Sequence, residues 1–114
     1  MDRNLSQYLH TKRIDHFQKL NLLLFLYQHP QLKGTSEEFA KWLYIGDAVL
    51  LKKIIVDLQY VGLVERIGIR YKLRNEPWIT SHLKHLAGTY EDPLTRQELL
   101  DQVLEQAHYR TETM

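Results

Sequence analysis

The sequence predicts a mainly α fold with one small β-hairpin, and three observations carry that expectation. Apolar residues recur at helical spacing over most of the chain, residues 63–75 change to strand periodicity, and capping residues stand where helices should start and stop. A length of 114 residues, with 44% hydrophobic and 25% charged side chains, fits one domain around one core, spanning 1–114.

From Ser6 to Gln28, the residues Leu9, Phe17, Leu20, Leu24 and Tyr27 fall at helical spacing, so a first helix is expected there, stopped by His29-Pro30. Its run from Leu22 to Leu26 leaves almost no polar face, which calls for cover within the domain or by a second copy of the chain. Gly34-Thr35-Ser36-Glu37-Glu38 offers a turn, a hydroxyl N-cap and first-turn acids that the helix dipole favours, so a second helix runs from Glu37 to about Tyr44. Gly46 breaks it. Asp47 then caps a third helix, Ala48 to Val61, with Gly62 where a left-handed C-terminal cap would sit. Two short helices joined by a tight turn make a helix-turn-helix.

After Gly62 the period falls from about 3.6 to about 2, with Ile69, Tyr71 and Leu73 alternating with Arg70, Lys72 and Arg74 across a turn at Gly68. That pattern is a hairpin, closed by Pro77. Trp78 to Ala87 reads as a further helix ended by Gly88. Asp92 and Pro93, as N-cap and first helical residue, open a last helix with the apolar stripe Leu94, Leu99, Leu100, Val103, Leu104 and Ala107. The C-terminal helices thus occupy 77–108, and 109–114 are expected to form a flexible tail.

The order helix, helix, turn, helix, two-strand hairpin, together with Gly62-Leu63-Val64-Glu65-Arg66, resembles the winged helix-turn-helix domains of small bacterial transcriptional regulators. The resemblance covers residues 12–76. It implies double-stranded DNA as partner, the third helix as the reader of a major groove, and the hairpin as a wing beside it. It also implies that the flanking helices serve dimerisation, so a homodimer is expected.

Advancing about 100° per residue along the third helix places Leu51, Ile54, Ile55 and Leu58 on one side, with Leu50 and Val61 at its edge. Val49, Lys52, Lys53, Val56, Asp57 and Tyr60 oppose them. In a groove, Lys52 and Lys53 would supply polar contacts and the valines only methyl contacts to thymine, while Asp57 would repel phosphate. In the hairpin, Arg66, Arg70, Lys72 and Arg74 stand against the single Glu65, and alternation puts Arg70, Lys72 and Arg74 on one outward face, spaced for phosphates along a groove edge. Lys33 and Lys41 extend this footprint. The competing reading is that these charges only keep a strand edge soluble and unpaired.

The chain as a whole gives no electrostatic argument, since 15 Lys and Arg balance 14 Asp and Glu. With no cysteine, there is no disulfide framework and no thiolate chemistry. Met1 to Leu5 lack the basic start of a signal peptide, and the apolar run from Leu20 to Tyr27 is too short for a bilayer; a cytoplasmic protein without membrane contact is expected. His82 and His85 share a helix face, and His10 and His16 lie near the N-terminus, but no third ligand has suitable spacing, so no metal or cofactor site is expected. Ser6, Ser36 and Ser81 stand in no nucleophile motif and no Gly-rich phosphate loop exists, which argues against an enzyme. Phe39, Trp42, Tyr44 and Trp78 are read as core aromatics rather than the lining of a ligand pocket. Two functions remain: a DNA-binding regulator using residues 48–61 and 63–75, or a docking module in which Val49, Val56 and Tyr60 form part of a patch for a partner protein, flanked by Lys52 and Lys53.

Overall fold

The N-terminal apolar pattern folds as two helices rather than the single one expected from Ser6 to Gln28. In the computed structural model, which describes residues 3–112 and side chains as far as residue 108, α1 (Arg3–Thr11) and α2 (Phe17–Gln28) are separated by a tight corner. Arg13 there adopts a left-handed backbone, φ 57. The amide of Ile14 donates to the Leu9 carbonyl at 2.9 Å and that of Arg13 to His10 at 3.2 Å, the paired bonds that close a helix on a left-handed residue. Leu9 and Ile14, both fully buried, supply the apolar contact that accompanies this cap. His16 restarts the chain, its Nδ1 accepting from the Gln18 amide at 3.0 Å. An arginine in the position usually held by glycine hides the corner from any reading of helix breakers.

α3 (Ser36–Trp42) and α4 (Ala48–Tyr60) form the expected helix-turn-helix. Thr35 caps α3 in a reciprocal box, the Glu38 amide donating to Thr35 Oγ1 at 3.1 Å and the Thr35 amide to Glu38 Oε1 at 3.0 Å. Its end is not set by Gly46: the left-handed residue is Tyr44, φ 56, with Ile45 bonded back to Ala40 at 2.8 Å. Asp47 caps α4, accepting from the Leu50 amide at 2.9 Å, and Gly62, φ 83, closes it as expected.

β1 (Val64–Ile67) pairs antiparallel with β2 (Arg70–Leu73), Val64 opposite Leu73 and Ile67 opposite Arg70. Tyr71 and Leu73 turn inward, but Ile69 lies in the Gly68–Ile69 turn and is 67% exposed, so it does not continue their buried face. Gly34 adds a single bridge to Tyr71, with bonds of 3.0 and 2.8 Å, and so fastens β2 to the segment before α3. A side chain there would put Cβ 2.6 Å from the Trp42 ring, which explains the glycine.

α5 (Pro77–Glu91) runs through Gly88, which was expected to end it. Gly88 is exposed with no positive φ, so it acts as an ordinary, weak helical residue. Asp92 alone separates α5 from α6 (Pro93–Glu112) and caps the latter, accepting from the Leu94 amide at 3.0 Å. The backbone of 109–112 continues α6 where a tail was expected; 113 and 114 lie outside the described residues.

One buried cluster takes residues from every element, among them Leu5, Leu20, Phe39, Leu51, Val64, Tyr71, Leu83 and Leu99. Leu22, Leu23 and Leu26 belong to it, so much of the apolar run that raised the question of a second copy is covered within the chain. α1 packs on α5 and α6, bringing the first and last helices together. On α6, Leu99 and Val103 are buried while Leu94 and Leu104 remain 80% and 57% exposed. Among the described residues no helix is long and apolar enough to cross a membrane.

Candidate functional site

α4 divides as its periodicity requires. Leu51, Ile54, Ile55 and Leu58 are at most 2% exposed, each contributing about 2 kcal/mol of apolar burial, and they hold the helix against the core. The opposite side is open, with Val49, Val56 and Tyr60 81%, 46% and 77% exposed and Lys52 and Lys53 also exposed.

Asp57, expected to face a partner from the same side, turns instead toward a cation that the sequence reading did not single out. Lys19, only 2% exposed, donates from Nζ to the Arg13 carbonyl and Asp15 Oδ1, both at 2.8 Å, and to Asp57 Oδ2 at 3.3 Å. A buried ammonium is tolerated only when its donors are satisfied, and here all three are. Beside it, Lys12 Nζ donates to the Val61 carbonyl at 3.1 Å, at the C-terminal end of α4, and the Arg13 guanidinium lies 5.3 Å over the Tyr60 ring. The α1–α2 corner therefore grips the last turns of α4. A lysine beginning an apolar helix is ambiguous in sequence, because only the fold shows it pointing inward.

The hairpin's cations are exposed or half-buried, but most are already engaged. Arg66 Nε donates to the Gly68 carbonyl at 2.7 Å, Arg70 stands 3.6 Å from Glu38, and Arg74 Nη2 meets Glu76 at 3.0 Å. Lys72 is half-buried on β2 between Tyr71 and Leu73, which face the core. The first turn of α3 lies between the two basic regions. The Glu37 carboxyl is held below its usual range by the hydrogen bond from its own amide, then by Ser36, with the Lys52 charge adding; that of Glu38 is lowered first by the Thr35 amide, with Arg70 adding. Helix and hairpin thus share one side of the molecule, with acids between their cations.

The aromatic residues divide differently from expectation. Phe39 is buried, but Trp42, Trp78 and Tyr44 are 37%, 58% and 96% exposed. Trp42 stacks on Phe25 at 6.4 Å and meets Phe39 edge-on at 5.3 Å, closing the side of the core over Gly34. Tyr44 projects from the turn between α3 and α4, lifted out by its left-handed backbone. The histidines are dispersed: His16 caps α2, His10 Nδ1 lies 3.0 Å from Gln106, and His82 packs 4.6 Å from Tyr8. The Tyr8 hydroxyl is buried without a hydrogen-bond partner, and burial pushes its pKa up to about 12.

No family model, curated protein or solved structure matches the chain.

Proposed function

We propose that this chain is a DNA-binding transcriptional regulator of the winged helix-turn-helix kind, in which α4 enters the major groove of a duplex and the β1–β2 hairpin lies along the groove edge. The observation that carries the reading is the uncovered side of α4. It presents Lys53 near its centre and Lys52 beside it, with Val49 and Val56 placed for thymine methyls and Tyr60 at the end. Arg66, Arg70, Lys72 and Arg74 follow on the adjoining hairpin. The pair between Arg70 and Glu38 is exposed on both sides, 50% and 40%, and such pairs contribute little and exchange readily for phosphate. Exposed Leu94 and Leu104 on α6 and Phe17 on α2 support a homodimer that sets two such faces on successive grooves.

A second reading, docking of α4 on a partner protein, is favoured by one observation. Large apolar or aromatic side chains on and just before α4 stand open to solvent, Tyr44 at 96%, Val49 at 81% and Tyr60 at 77% exposure. Titration of a labelled duplex at increasing salt separates the two. Phosphate-driven binding weakens steeply with salt, and Lys53→Ala should lower it roughly five- to tenfold, as expected for loss of a base-edge contact of about 1 kcal/mol or more. Wild-type protein that binds no duplex at low salt overturns the DNA reading and leaves Val49, Val56 and Tyr60 as a docking patch.

A further inference from the structure

We infer that Arg13, at the corner between α1 and α2, is a further duplex-contacting residue, holding a phosphate just beyond the last turn of α4. This rests on the DNA-binding reading above. Three independent observations meet at the residue.

The first is conformational. Arg13 occupies the left-handed closing position of α1, φ 57, where glycine carries no steric penalty and an L side chain does. The same closing arrangement at the end of α4 is filled by Gly62, φ 83. A long side chain kept in a strained position points to a use for that side chain.

The second is placement. Arg13 is exposed, and its guanidinium lies 5.3 Å over the ring of Tyr60, itself 77% exposed on the outward side of α4. An aromatic face attracts a guanidinium and limits where it can lie, and a guanidinium so held has N–H donors that can grip a phosphate with two parallel bonds.

The third is charge. Asp15, two residues along the chain, and Asp57, one turn before Tyr60 on α4, both bond the buried Lys19. Among the described residues no carboxylate pairs with Arg13. Lys12, next in the chain, adds a second cation at the same end of α4, where its Nζ meets the Val61 carbonyl. Arg13 and Lys12 thus bring two cations to the C-terminal end of α4, the end from which the chain enters the hairpin.

The test uses full-length protein and a labelled duplex, titrated at several salt concentrations with wild type, Arg13→Gln, Arg13→Lys and Lys53→Ala. Arg13→Gln should weaken binding roughly three- to tenfold and reduce the slope of log affinity against log salt by about one unit, the signature of one lost phosphate contact. Arg13→Lys should restore the slope but not the full affinity, because an ammonium keeps the charge and loses the stacked, two-bond geometry. If Arg13→Gln leaves affinity and slope unchanged while Lys53→Ala weakens binding, the inference about Arg13 is wrong and the DNA reading stands. If wild type binds no duplex, both fall. Should Arg13→Gln not fold, Arg13→Lys still decides, since affinity equal to wild type would exclude the stacked two-bond contact.

Discussion

The hairpin and the α1–α2 corner both bring cations to the flanks of α4, and they differ in what stands beside those cations. In the hairpin, Arg70 and Arg74 meet Glu38 and Glu76, and Arg66 is drawn to the turn at Gly68. In the corner, Asp15 and Asp57 converge on one buried lysine, and Arg13 is left facing solvent over Tyr60. In the hairpin two of the four cations meet a carboxylate, whereas in the corner both carboxylates turn to Lys19 and, among the described residues, none pairs with Arg13. Availability of a surface charge is decided by where neighbouring counter-charges are pulled, and a buried ion can pull them from below.

That contrast breaks first at Lys19. Lys19→Met should destabilise the protein by about 2–3 kcal/mol in urea denaturation, since it strips two carboxylates and a backbone carbonyl of their shared donor. Asp57 is 43% exposed and recovers water, which keeps the cost below that of a fully buried broken pair. If Arg13 contacts a duplex as proposed, Asp57, released from Lys19, should compete for it and weaken that binding. A loss under about 1 kcal/mol would mean that Lys19 does not organise the corner.

On the hairpin side the corresponding point is Gly34. Gly34→Ala places a methyl 2.6 Å from Trp42 and 3.2 Å from Phe39, so the indole must tilt away from Phe25 and the strap to Tyr71 must loosen. The expected cost is about 1–2 kcal/mol, with a shifted tryptophan emission, because Trp42 is partly exposed and can move. Unchanged emission and stability would show that the hairpin is not seated through that contact.

The smallest effect is acid sensitivity at the first turn of α3. Glu37 and Glu38 have folded pKa values below the usual 4.5, so their contribution to stability is fully present above that value and fades as pH falls through the lower folded values. Thermal unfolding followed from pH 6 to about 3 should lose stability only toward the acid end, and Glu38→Gln should flatten part of that loss. An identical profile in the variant would remove Glu38 from the effect.

Most of the element order was legible because each signal was local. Thr35, Asp47, Gly62, Asp92 and Pro93 act through neighbours a few residues away, and the apolar side of α4 follows from helical spacing alone. What escaped was set by tertiary contact or by an unusual residue in a familiar role. Arg13 and Tyr44 close helices as glycine would, so the first break went unseen and the second was assigned to Gly46. Gly88 sits in a helix that packing and the Asp92-Pro93 junction sustain. Of the candidate site, the outward residues of α4 were readable, whereas the pairing of Arg70 and Arg74 and the burial of Lys19 depend on which segments meet in space.

The junction at Asp92 has a mechanical consequence. The last carbonyls of α5 are taken up by side chains from the first turn of α6: Thr89 by Thr95 at 2.7 Å, and Tyr90 and Glu91 by Arg96 at 2.6 and 3.2 Å. Arg96 also lies 5.0 Å over the Tyr90 ring. A swing of α6 about Asp92 that separates its first turn from the end of α5 would break these bonds and leave those carbonyls uncapped. The two helices are thus tied at an elbow, and because α6 also packs on α1, that elbow is joined through packed helices to the element that leads into the corner gripping α4.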